Sequence, residues 1–147
     1  MKREEKKTAI RQQIINAAYD LMTKQGIKAT GIRQVSEKSG ISSVTMYKYF
    51  ATKEELAEAV GLKVYKEHVA KSLEFSTNDQ MTFVEKLKTF GQYSQEIQKK
   101  FAPSVGAEFF NLFNSSSEIK NYVQNWEDEF WGGIIQSGRE AGNISSK

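Results

Sequence analysis

Apolar residues recur along this chain at intervals of three and four, and no segment sustains the period-two alternation of a strand. Ile10, Ile14, Ala17, Ala18, Leu21 and Met22 form one stripe, which predicts a helix over residues 5–25 that stops at Gly26. A short second helix is expected over 32–39, with Ile32 and Val35 inward and Gly40 ending it. The stretch "GISSVTMYKYF" then supplies a third, with Ser42 as its N-cap. A fourth opens at "TKEEL" and runs to about residue 72. Thr52 and Glu55 have capping-box spacing, so each should satisfy the other's exposed backbone N–H. The polar segment 74–80 reads as a linker, and 81–100 as a long amphipathic helix. Pro103 suits the first turn of a shorter helix, where its missing N–H is no loss. "NSSSE" at 114–118 interrupts the pattern before a last helix through Trp126 to about residue 137, with Gly138 and Gly142 beyond it.

The pair 32–39 and 43–49, joined by "GIS", has the tight glycine-containing connection of a helix-turn-helix. Gly40 can take the positive φ of such a turn, and Ile41 can plug the space between the helices. With Met46 and Phe50 used against Ile14, Val35 and Leu56, the outward set is Ser43, Val44, Thr45, Tyr47, Lys48 and Tyr49. Hydroxyls, phenols and a lysine are the groups that bond phosphate and sugar, and small side chains let a helix approach base edges. Val44 could touch a thymine methyl. No acid lies between Lys38 and Lys53 to repel phosphates.

Charge sharpens the picture slightly. Of the 147 residues, 1–65 carry 12 Lys/Arg against 7 Asp/Glu, whereas 66–147 carry 9 against 11. Aromatics lean the other way, with 5 of 17 before residue 66. A basic first part beside an aromatic-rich second part suggests two tasks, the first with an anionic partner. Zero cysteines exclude disulfides, thiolate catalysis and Cys-ligated zinc, and one histidine, His68, excludes a histidine-rich metal site. No phosphate-binding glycine loop or metal-spaced cluster is present, so neither an enzyme nor a cofactor is expected. No apolar run approaches a membrane span, and "MKREEKK" leads into no secretory signal. A soluble cytoplasmic protein is the expectation.

From Ile10 to Leu56 the sequence is similar to the DNA-binding domain of the TetR family of bacterial repressors. The residues that carry the resemblance are Ala17-Ala18, Gly26 to Thr30, Gly40-Ile41-Ser42, Thr45-Met46-Tyr47-Lys48-Tyr49-Phe50 and Lys53-Glu54-Glu55-Leu56. The resemblance implies phosphate contacts from Ser42, Thr45, Tyr47, Tyr49 and Lys53, and base contacts from Ser43, Val44 and Lys48. One position departs from the pattern: Gly31 stands where many members carry a hydroxyl. Only its backbone N–H could hold phosphate, and Thr30 or Arg33 is the expected substitute.

The fold implied is all-α: a three-helix helix-turn-helix domain (1–53), then a helical ligand-binding and dimerisation domain (54–147). The chain ends after "REAGNISSK", which resembles the turn before the family's last two helices, so the second domain is expected to be incomplete. Phe90, Tyr93, Phe109, Phe113, Trp126 and Phe130 could line an inducer pocket, or simply pack as core. His68 reads as a surface or pocket-rim residue. The function expected is a homodimeric regulator, a repressor released from a palindromic double-stranded DNA operator by a small apolar inducer. The alternative is a helical protein-interaction module with weak or no DNA binding.

Overall fold

The computed structural model describes residues 2–145. Among them, seven helices and no strand are formed: α1 (Arg3–Gln25), α2 (Ile32–Ser39), α3 (Ser43–Tyr49), α4 (Lys53–Ser76), α5 (Phe83–Lys100), α6 (Pro103–Ser115) and α7 (Ser117–Glu140). None is long and apolar enough to cross a membrane.

The chain forms two compact units. One comprises residues 1–63 and 101–116, the other 64–100 and 117–147. This membership differs from the 1–53 and 54–147 division expected above. Residues 54–63 add Leu56, Ala57 and Val60 to the first core, and α6 packs on α1. The Glu108 carboxylate on α6 accepts the backbone N–H of Lys28 at 2.8 Å, which ties that helix to the loop after α1.

The core of the first unit is the predicted stripe of α1 closed by its neighbours. Ile14, Ala18, Met22, Val35, Leu56 and Val60 are fully buried, and Met46 and Phe50 nearly so. Burial of each large side chain contributes roughly 1.5–3 kcal/mol, enough to hold two helices as short as α2 and α3 that would not persist alone. The N-terminus of α4 is capped almost as expected. Thr52 Oγ1 accepts the Glu55 N–H at 3.1 Å, but the Glu55 carboxylate accepts from Ala51 at 3.0 Å rather than from Thr52.

In the second unit, Phe75, Phe130 and Ile134 form a core against which Leu73, Met81, Phe83, Phe90, Tyr93 and Trp126 pack. A true capping box starts α5: Thr82 N–H to the Glu85 carboxylate at 2.9 Å, and Glu85 N–H to Thr82 Oγ1 at 3.2 Å. Gly138 was expected beyond the last helix. Instead α7 continues to Glu140, and Gly138 is buried where a Cβ would collide with Phe83 and Ile144. Lys86 is also inside, 3% exposed, with its ammonium donating to Ser137 Oγ at 2.6 Å.

Candidate nucleic-acid interface

Four residues fix the turn between α2 and α3. Gly40 has φ 74°, the left-handed conformation that a side chain disfavours, and its N–H returns to the Ser36 carbonyl. Ser36 Oγ donates to the Ile41 carbonyl at 2.7 Å, and Ser39 Oγ accepts the Ile41 N–H at 3.1 Å. From α1, Gln13 donates to the Ser39 carbonyl at 2.5 Å. The two serines and Gln13 were missed in the sequence, where they look like ordinary polar positions.

The turn sets the facing of α3. Met46 and Phe50 point inward, whereas Val44 is 73% and Tyr47 50% exposed, and Lys48 is exposed with them. Ser43, Thr45 and Tyr49 are half-buried. Ser42 caps the helix as expected, accepting the Thr45 N–H at 3.2 Å and donating to Thr45 Oγ1 at 3.0 Å. The Thr45 hydroxyl therefore keeps its own proton for an outside acceptor. The face presents two phenols, hydroxyls, one ammonium and a small apolar side chain, with no carboxylate on the helix.

The start of α2 differs from the sequence expectation. Thr30 is fully buried: its hydroxyl donates to the Gly26 carbonyl at 2.7 Å and accepts from Gln25 at 3.2 Å. It closes the loop and cannot reach a phosphate, so the expected substitution for the missing hydroxyl fails at Thr30. The Gly31 N–H is exposed but donates to Gln34 Oε1 at 3.0 Å. Gln34 was not among the expected site residues, although a glutamine three residues after an N-cap is the spacing for such a bond. Arg33 is exposed and leans on Glu37 at 3.3 Å, a contact weak enough to release the guanidinium. Lys53 reaches the Lys28 carbonyl at 3.4 Å, which sets its ammonium beside the loop that leads into α2.

The six aromatic residues are divided between the two units. Phe90, Tyr93, Trp126 and Phe130 belong to the second unit, where Trp126 and Phe90 lie 5.3 and 5.2 Å from Phe130, ring centre to ring centre. Phe109 and Phe113 sit on α6 in the first unit, with Phe109 buried against Phe101. Phe130 has no exposed surface. His68 is half-buried among these rings: it stacks on Tyr93 at 5.1 Å and meets Trp126 edge-on at 5.7 Å. Its burial, helped by the nearby Lys100 ammonium, holds the imidazole below its ordinary value of 6.5.

Comparison with known proteins gives the same reading of the first unit. Residues 14–60 match the sequence family described as bacterial regulatory proteins, tetR family. An uncharacterised HTH-type transcriptional regulator of Bacillus subtilis, YvkB, is 35% identical over 49 residues, which are 33% of this chain and 26% of that protein. Over most of the chain the fold is also that of solved regulators. The transcriptional regulator FadR of Bacillus subtilis, in complex with stearoyl-CoA, aligns with a TM-score of 0.59 at 19% identity, over 92% of this chain and 74% of that one. A TetR family protein from Vibrio parahaemolyticus, a proposed transcriptional regulator, aligns with a TM-score of 0.59 at 24% identity, over 94% and 74%. The helix-turn-helix in residues 14–60 thus matches that of the bacterial regulatory proteins of the tetR family, set in an all-α fold like that of the two solved regulators.

Proposed function

We propose that this protein is a ligand-responsive transcriptional regulator, a repressor that leaves a palindromic operator when a small apolar inducer binds its second unit. The observation that carries the reading is the outer face of α3, where Val44, Tyr47 and Lys48 stand exposed on a helix without an acid. In this reading Ser42, Thr45, Tyr47, Tyr49, Arg33 and Lys53 hold phosphates while Ser43, Val44 and Lys48 meet base edges. Two copies related by a two-fold axis would place their recognition helices about 34–36 Å apart, in successive major grooves. An inducer acts only through its different affinity for the DNA-competent and DNA-incompetent arrangements. The complex of FadR with stearoyl-CoA supports an apolar ligand for a protein of this fold. Regulators of this family are generally not enzymes. A cytoplasmic location follows from a DNA target in a bacterium.

Selection of bound duplexes from a random pool tests the proposal. The expected winners contain two inverted half-sites at a fixed spacing, and their affinity falls steeply with salt as phosphate counterions are released. Failure to enrich any sequence, or an affinity flat in salt, overturns it. A second reading, a helical interaction module, is favoured by the exposed Val84, Leu87, Trp131 and Ile135 of the second unit, and it is what a failed selection would leave.

A further inference from the structure

Among the described residues, one buried side-chain polar atom has no hydrogen-bond partner: Nε1 of Trp126. Buried indole N–H groups ordinarily find an acceptor, and leaving one orphaned costs about 1–3 kcal/mol. A weak contact with a neighbouring ring face recovers only part of that. Such an orphan calls for an explanation.

Its surroundings supply one. The His68 ring stands edge-on to Trp126 and stacks on Tyr93 with 15° between their planes. The Tyr93 hydroxyl lies 3.2 Å from His68 Nδ1 and donates to the His68 carbonyl at 3.5 Å. The Trp126 N–H thus lies beside this pair in a corner of an otherwise aromatic core that Phe75, Phe90 and Phe130 fill out. No acceptor in that corner is matched to it.

We infer that the Trp126 N–H, with His68 beside it, is the polar anchor for a neutral, largely aromatic or acyl ligand bearing a carbonyl oxygen. The inference rests on the ligand-responsive reading given above and names the chemistry of its ligand. A carbonyl oxygen has two lone pairs and no proton, so it accepts from the indole N–H and brings no donor of its own. An anion fits worse than a neutral group. Burial pushes the Tyr93 hydroxyl up, and the carboxylates of Glu96, Glu74 and Glu67 add to it, against the single ammonium of Lys100 that acts on His68. The stacked pair of His68 and Tyr93 offers a flat wall, which suits a planar ring system next to the carbonyl.

The test uses pairs of probes that differ by one oxygen: acetophenone with ethylbenzene, and 2-acetylnaphthalene with 2-ethylnaphthalene. Calorimetry on the whole chain should show each ketone binding roughly tenfold tighter than its hydrocarbon, the factor expected of one buried hydrogen bond. Trp126→Phe keeps a ring but removes the N–H and should bring the two affinities together. In a nitrogen-15 spectrum the Trp126 indole proton, assigned by its loss in that variant, should move downfield with the ketone and stay with the hydrocarbon. Equal binding of ketone and hydrocarbon, or discrimination that survives in Trp126→Phe, overturns the inference and leaves an apolar pocket standing. Binding of neither class overturns both. A Trp126→Phe chain that melts like the parent shows that the lost discrimination is not a loss of fold.

Discussion

The side-chain carbonyl of Gln34 accepts the backbone N–H of Gly31 at 3.0 Å, across the first turn of α2. It thereby occupies the donor that would hold a phosphate at a position where the family's usual hydroxyl is missing. Space is not the reason for the glycine: an added Cβ at Gly31 meets nothing within 4 Å, and its φ of −94° suits any residue. Gly31→Ser should fold as the parent does and bind DNA about tenfold tighter, the strength of one hydrogen bond to a charged group. Fluorescence anisotropy with a selected operator measures it. An unchanged affinity would remove α2 from the phosphate contacts.

Lys53 and Lys48 should respond differently to loss of charge. Lys53→Ala should weaken all sequences alike and lower the salt slope by about 1, as expected for one phosphate contact. Tyr47→Phe should also act uniformly. Lys48→Ala should instead change which sequence wins in a competition among operator variants, because it stands on the exposed face of α3 beside Val44. A uniform loss with Lys48→Ala would return that residue to the phosphates.

Gly40 isolates a purely backbone effect. A Cβ there has open space, yet the φ of 74° is left-handed. Gly40→Ala should therefore lower stability by roughly 1–2 kcal/mol from conformational strain alone. Urea denaturation of the two chains gives the difference. A neutral result would mean that the turn relaxes and that Ser36 and Ser39 do not hold it.

His68 is the chain's single histidine, so its titration can be followed cleanly. Burial and Lys100 favour its neutral form in the fold. As pH falls below 6.5 the unfolded chain takes up a proton before the folded one does. Stability is then lost over the interval from 6.5 down to the lowered folded value, and is unaffected above it. Melting temperatures of the parent should drop over that interval more than those of His68→Gln. Parallel curves would show that the ring titrates freely.

How far the sequence could be read differs from place to place for physical reasons. The bounds of α2 and α3 were legible because Gly40 and Ser42 act through local backbone geometry, which composition reveals directly. The membership of α6 was not. Periodicity says that one face of a helix is apolar, but not that Phe109 would be buried in the first unit, against Phe101. Gly138 misled for a related reason. A glycine can end a helix or admit a close neighbour, and only the positions of Ile144 and Phe83 show that here it does the second. At the interface, the outward side chains of α3 followed from the turn, whereas the burial of Thr30 depends on a bond to Gly26 that no spacing rule predicts.

The burial of Lys86 makes it a chemical clock. Reagents that acylate free amines consume the neutral amine form of lysine side chains at rates set by their access to solvent, and most lysines here stand at the surface. Lys86 lies 3% exposed with its nitrogen against Ser137, so it can react only in the moments when α5 and α7 part. Mass spectrometry of a timed acylation would then read out how often the second unit opens, from one peptide and without a probe attached. A ligand that closes that core should slow the modification of this amine and leave the other lysines reacting at their former rate.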